Sequence, residues 1–353
     1  MSLADIFNGD AFTMHNLTAS IDKLPYVPGR VEELTLFTNK PTTTRTAYIE
    51  ERQGQLALLP VKSRGEMPSS TSGQNPRKMR PFEVPHVPQH RTILAESLEG
   101  KRAFGSETET EVYATLVNDE LAEMKVWHEV THEWHRLGAL KGIVLDADAS
   151  TVVYNFFTEF GLSQTQLDFN KYDGGTYDAA DPAIHFRTLC TSWIRSIRDA
   201  LGATPFKGVH ALCGDNYFDA LIEHATVRGA YKNYTAAQEA LGGQKAGEGQ
   251  VFSFGGIDFE NYRGSIGDVD FVDTDEAVIF PKGAPNVFLE IPAPATFIET
   301  INTRGQMLYA KQKVMDWDLG VELFTQSNVL YICTRPGCLI KSLLTNTAPG
   351  TGS

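Results

Sequence analysis

The stretch from residue 280 to residue 340 restricts the fold most. Pro281, Gly283 and Pro285 punctuate its start, and Pro292 and Pro294 set an extended corner. Residues 307–315 and 321–324 alternate or run apolar as strands do, and Asp316, Asp318 and Gly320 break them into a hairpin. The segment is therefore strand and turn, with no cofactor loop and no nucleophile signature.

Upstream, two segments differ sharply in character. Residues 54–92 hold Pro60, Pro68, Pro76, Pro81, Pro85 and Pro88, and their polar middle has almost nothing to bury. A free loop this long is uncommon inside a compact domain. Residues 56–61 and 82–87 flank it and are expected to pair as a protruding hairpin. Lys62, Arg64, Arg77, Lys78, Arg80 and Arg91 oppose only Glu66 and Glu83, a net of +4 in a chain whose formal charge is -13. The next segment is a long acidic helix. Ser106 and Glu109 form a capping box, and Tyr113, Val117, Leu121, Met124, Trp127 and Trp134 recur at helical spacing. Gly138 is read as its stop. The helix is predicted to span about 30 residues, roughly 45 Å, with a net charge of -6.

The remaining elements are shorter. Residues 1–53 read as an extended arm, with short strands at 34–37 and 46–49. Residues 143–145 and 151–157 read as a hairpin around Asp146. A helix starts at Asp181-Pro182, buries Phe186, Cys190, Trp193, Ile197 and Leu201, and stops at Gly202. A further helix follows Asp215, with Tyr217, Leu221, Ile222 and Ala225 inside. The acidic balance, with a pI near 5.2, argues against a general nucleic-acid binder. It suits a surface that lies near DNA without sticking to it. The N-terminus carries no visible signal peptide, and no apolar run approaches a membrane span. Cys190, Cys213, Cys333 and Cys338 form no CxxC pair and are expected to be buried free thiols.

Three motifs invite a catalytic or metal reading. Residues 128–132 are HEVTH, which on a helix puts His128 and His132 on one face with Glu129 placed to activate a zinc-bound water. His135 lies near that face, and Glu159 is the candidate third ligand. The competing reading is that these histidines border the apolar stripe of a long helix and meet solvent or a neighbouring subunit. This second reading is preferred, because the surrounding helix is acidic and Glu159 is not delivered by a second helix. Residues 146–151, DADAST, begin like a calcium loop but lack the glycine at the sixth position and a ligand at the twelfth, so a turn is expected. Cys190 and Cys213 sit near apolar runs and read as core rather than as nucleophiles. No catalytic residue, cofactor or metal is therefore assigned.

The combined order of FP with a Gly/Pro turn, then ETINT, YAKQ and QSN, then a short closing strand resembles the lambda-type phage major capsid protein, the E family. DIFNGDAF near the start, EWHRLGALKG, FTEFG and residues 206–231 resemble it as well. The resemblance implies an α+β, HK97-like major capsid fold with N-arm, E-loop, spine helix, P-domain and A-domain. The expected division is 1–53 N-terminal arm, 54–104 E-loop and flanking strands, 105–165 P-domain with spine helix, 166–284 A-domain, 285–326 P-domain return strands, and 327–353 closing A-domain strand and tail. It implies a structural protein, not an enzyme, that forms the icosahedral head shell of a tailed double-stranded DNA phage. Partners would be further copies in hexamers and pentamers, a separate scaffolding protein, a portal, packaged DNA enclosed without sequence-specific binding, and a possible decoration protein, with no membrane. It would assemble in the host cytoplasm and reside in the virion. The alternatives are an encapsulin-like cargo compartment and, from another class, a zinc metallopeptidase built on His128, Glu129 and His132. The charge split suggests an inter-subunit contact between Lys62, Arg64, Arg77, Lys78 and Arg80 of one copy and Asp119, Glu120 and Glu123 of a neighbour.

Overall fold

The computed structural model describes residues 29–52, 77–94, 109–168, 186–224, 227, 251–266 and 269–344. In chain order these form α1 (Arg30–Glu33), β1 (Thr38–Asn39), β2 (Thr46–Arg52), β3 (Arg77–Glu83), β4 (Val87–Leu94), α2 (Glu109–Lys141), β5 (Ile143–Leu145), β6 (Val152–Asn155), α3 (Phe156–Phe160) and β7 (Thr165–Asp168). Then follow α4 (Phe186–Leu201), β8 (Gly208–Cys213), α5 (Asp215–Glu223), β9 (Val251–Phe254), β10 (Ile257–Asn261), β11 (Ser265–Ile266), β12 (Val269–Asp270) and β13 (Glu276–Lys282). The last are β14 (Phe288–Pro292), β15 (Tyr309–Val314), β16 (Gly320–Ser327), β17 (Val329–Cys333) and β18 (Ile340–Leu343).

One layer is a six-stranded mixed sheet in the order β7-β18-β13-β8-β10-β9. Its middle strands β13 and β8 are buried along nearly their whole length, which is why EAVIFPK and GVHALC run apolar instead of alternating. Helix α4 turns Phe186, Leu189, Cys190, Trp193, Ile197 and Leu201 into this core and ends at Gly202, whose φ is +56°. The second layer sets α2 against two three-stranded sheets, β1-β14-β17 and β15-β16-β4. The hairpin predicted from residues 307–324 is β15 paired with β16, turning over a short 3-10 segment at Asp316–Asp318.

Several elements differ from the sequence expectation. The hairpin following the arm pairs β2 with β3, so Ala47 faces Phe82 and residues 82–83 bond to residues 46–47 and not to residues 56–61. Residues 56–61 lie outside the described residues, as do Ser106 and Asp181-Pro182. The strand expected at 34–37 is a turn that closes α1, and only Thr38 and Asn39 pair, in parallel with β14. Residues 156–157 belong to α3, because the Asn155 side chain accepts from the amides of Phe157 and Thr158 and starts a helix there. Ile222 lies on the exposed side of α5. Beyond residue 327, β17 pairs with β14, and the chain re-enters the six-stranded sheet at β18.

Helix α2 passes through Gly138 and runs to Lys141. Gly138 is there for close approach: a Cβ would meet the Val144 backbone at 3.0 Å, so the helix packs directly on β5. The stop is Gly142, in the left-handed region at φ +80°. All four cysteines are buried free thiols, as expected. Burial pushes the Cys190 thiol up to about 12 and raises Cys213 and Cys333 as well.

Two predictions follow from this packing. Gly202→Ala meets open space and should cost only the left-handed penalty, about 1–2 kcal/mol. Gly142→Ala adds a clash with the buried Phe157 ring and should cost about 1–3 kcal/mol more. Equal denaturation midpoints for the two variants would contradict this account. All four thiols should resist alkylation in the native subunit at pH 8 and react after denaturation, counted by intact mass.

Candidate functional site

The HEVTH residues occupy the stretch where α2 crosses the second layer. His128 is buried, and both of its ring nitrogens are taken: Nδ1 lies 3.1 Å from Ser327 Oγ and Nε2 lies 3.0 Å from Thr325 Oγ1. Burial pushes its pKa down to about 4. His132 sits one turn on, with its ring centroid 5.8 Å from that of Tyr331. Neither of its ring nitrogens has a hydrogen-bond partner. Burial, with Arg136 and His128 nearby, holds it well below the usual histidine value. The histidines therefore face strands of their own chain, which corrects the expectation that they meet solvent or a neighbour. Glu129 is raised by burial and by Glu32. Glu159 lies on α3, where its carbonyl accepts from Arg80. With both His128 nitrogens engaged by hydroxyls, zinc could bind there only by displacing one of them. Among the described residues no three histidine, cysteine, aspartate or glutamate side chains are grouped to hold a metal ion. DADAST is a turn in which Asp148 Oδ1 accepts from the amides of Ser150 at 3.0 Å and Thr151 at 2.8 Å.

A polar clamp lies alongside, and sequence reasoning missed it. Arg30 on α1 pairs with Glu260 on β10 and with Glu33. Glu260 also meets His210 Nε2 at 3.0 Å. Burial opposes ionisation of Glu260, but His210 and Arg30 outweigh it and hold the carboxyl down at about 2. The Val31 amide donates to Glu133 of α2 at 2.8 Å, and the Tyr262 hydroxyl donates to the same oxygen at 3.1 Å. Arg136 pairs with Glu32 and reaches Glu290 on β14 at 3.4 Å. One turn of helix thus ties the spine-like α2 to both sheets. A cavity of about 410 Å³ opens beside it, lined by Val126, Val130, Tyr262 and Phe271 among others. The signal available in the sequence was the run Arg30-Val31-Glu32-Glu33, which a search for strands passes over.

The residues predicted for inter-subunit contact fall in different places. Lys62 and Arg64 lie outside the described residues. Arg77 and Lys78 sit on β3 in register with Arg52 and Glu51. Arg80 donates to the Glu159 carbonyl and covers the Phe160 ring at 4.9 Å. Glu120 and Glu123 are met by their own chain: Arg91 of β4 pairs with Glu120 and makes two bonds to Glu123, at 2.6 and 2.9 Å. Asp119 is exposed.

The buried histidine carries a pH prediction. Between its ordinary value near 6.5 and about 4, the unfolded chain takes up a proton that folded His128 refuses. Its contribution is complete above pH 6.5, falls as pH drops, and is flat below about 4, a loss on the order of 3 kcal/mol. His132 and His135 act in the same sense, whereas the raised Glu129 and Glu133 oppose it. The difference between wild type and His128→Gln isolates the histidine. Stability of the variant, followed by denaturant titration from pH 8 to pH 4, should fall less steeply.

Comparison with known proteins places the whole chain. The family model described as phage major capsid protein E matches residues 13–343. The major capsid protein of Pseudomonas phage KPP10 is 26% identical over 346 residues, covering 94% of this chain and 96% of that protein. The major capsid protein of Salmonella phage Felix O1 (isolate Felix O1-VT1) is 24% identical over 359 residues, covering 93% and 95%. A crystal structure of a prophage protein of E. coli CFT073, assigned as its capsid protein, superposes with a TM-score of 0.53 at 13% identity, covering 94% of this chain and 99% of that one. The likeness is one of fold, and the fold is the α+β, HK97-like capsid fold that the resemblance implied. Matched along nearly its full length, the chain belongs to the phage major capsid protein E family.

Proposed function

We propose that copies of this capsid protein close into pentamers and hexamers, and that these build the icosahedral head of a tailed double-stranded DNA phage. The observation that carries the reading is the family match over residues 13–343, which spans both layers and the segments between them. The role is structural. The one catalytic motif in the sequence is spent on packing, with His128 bonded to Ser327 and Thr325, so the zinc-peptidase reading is withdrawn. The cargo-compartment reading draws no support from the relatives, which are phage major capsid proteins.

The domain division follows with two adjustments. The arm ends near residue 45, because β2 is one half of the E-loop ribbon with β3. The final A-domain segment begins after Cys333, because β17 belongs with β14. The P-domain is then α2 with its two sheets, and the A-domain is the six-stranded sheet with α4 and α5. Scaffolding protein, portal and a possible decoration protein are the further partners, and assembly takes place in the host cytoplasm. The net charge of -13 keeps the shell wall from binding packaged DNA tightly.

Negative-stain microscopy of the purified full-length chain tests the reading: closed shells, or five- and six-membered rings, are expected, and a chain that stays monomeric at every concentration overturns it. Replacing residues 64–76 with a short Gly-Ser linker, which spares β3, should leave a subunit that melts cooperatively but no longer forms normal particles. Normal particles from that variant would show that the loop plays no part in assembly.

A further inference from the structure

The HEVTH run holds one residue that packing does not explain. Glu129 is half-buried, yet among the described residues no hydrogen bond or ion pair reaches its carboxylate. Lys125 and Arg136 act on it through charge alone, and Arg136 is already paired with Glu32 and Glu290. Glu129 lines the cavity of about 410 Å³ between α2 and the end of β10. Val126, Glu129, Val130 and Glu133 all line it and are spaced three and four apart, so α2 turns a single face to this space. That face is half apolar and half acidic. Phe271 extends the apolar half, and Val126 is left 38% exposed.

Hydrogen bonding on the polar half is one-sided. Glu133 is 6% exposed; its Oε1 accepts from the Val31 amide and the Tyr262 hydroxyl, while its buried Oε2 has no donor. Asn261, on β10, donates its side-chain amide to Asp215 at 2.9 Å and leaves its buried Oδ1 without a donor. Both guanidiniums on the wall are spent, Arg30 on Glu260 and Glu33, and Arg263 on Asp215. Buried acceptors are normally satisfied, because leaving one without a donor is costly. Three acceptor groups from two elements, two of them carboxylates, therefore call for a cationic donor. A bare metal ion does not meet the need. Among the described residues no three ligating side chains converge on one point, and an ion would leave the apolar half uncovered. The volume falls in the range that holds a small organic molecule.

We propose that this cavity binds a primary alkylammonium group, its head held by Glu129, Glu133 and Asn261 and its hydrocarbon body laid along Val126, Val130 and Phe271. An ammonium carries three donors, one for each acceptor group, and no acceptor of its own. Burial raises the pKa of both glutamates, and a cation beside them favours the carboxylate form again. The walls come from α2 and from β10, so an occupied site joins the two layers next to the α1 clamp. A ligand bound only by the folded chain also stabilises it by mass action. Nothing in the site depends on shell assembly.

Isothermal titration calorimetry of the full chain at constant ionic strength tests this with n-butylammonium. Ammonium chloride, which lacks the hydrocarbon body, and n-butanol, which lacks the charge, are the controls. Saturable binding of n-butylammonium is expected, with neither control binding at the same concentrations. Glu129→Gln has no partner to lose and should melt as wild type does, yet bind n-butylammonium about tenfold or more weakly, the effect of removing one charged hydrogen bond. Asp119→Asn, on the same helix but outside the cavity, should bind as wild type does. Nα-acetyl-lysine amide ranks the two sources of such a group: a lysine side chain if it binds more tightly than n-butylammonium, a free amine if it binds less tightly. Absence of saturable binding to the wild-type chain, equal binding of n-butanol, or the same affinity in Glu129→Gln as in Asp119→Asn would each overturn the inference, and none of them bears on the capsid role.

Discussion

Everything in this subunit hangs on one helix that is too long for a single core. At 33 residues α2 spans roughly 50 Å, and it serves two apolar clusters. Val117, Leu121 and Met124 pack with Ile93, Leu308 and Leu323 on the β15-β16-β4 sheet. Leu137, Ala139 and Leu140 belong to the larger core shared with the six-stranded sheet. Between them the helix crosses strands β16 and β17, and there its buried residues turn polar: His128, His132, Glu133 and Arg136. The polar stretch sits where two hydrophobic cores do not merge.

That seam is held by direction rather than by area. Apart from the exposed Glu33, the charged groups around α1 are buried or half-buried, so their attraction is largely offset by lost hydration, and such pairs contribute less to net stability than their geometry suggests. What they supply is register. Glu133 can satisfy the Val31 amide and the Tyr262 hydroxyl only with α1 seated in one position. Arg136 can reach Glu32 and Glu290 together only if β14 lies beside that same turn. Apolar packing alone would let the layers slide. Gly29 shows how closely the clamp is built, because a side chain there would overlap the Glu133 carboxylate.

Local features were legible in the sequence, and non-local pairing was not. The stripe of α4, its glycine stop, the β15–β16 hairpin and the burial of four cysteines all follow from spacing within short windows. The E-family resemblance added the overall fold. Gly138 misled because a glycine at a close helix–strand approach reads the same as a glycine that ends a helix. The β2–β3 pairing was missed because register depends on which strands meet across 24 intervening residues, 53–76, and the apolar run at 56–61 was the nearer candidate. HEVTH showed the opposite error. Its spacing is right for zinc, but only the distant Thr325 and Ser327 reveal that the imidazole is already engaged. The α1 clamp depends on partners more than a hundred positions away and leaves no local trace.

The order of strands in the six-stranded sheet has a consequence for synthesis on the ribosome. The chain makes β7 early, yet β7 touches the sheet only through β18, and β18 stands between it and β13. Neither β7 nor the outer edge of β13 has its partner until β18, residues 340–343, has been made. A chain cut short before that point carries two unpaired strand edges and an incomplete core. The fold thus contains its own check on length: only a chain translated through β18 can present finished surfaces to its neighbours.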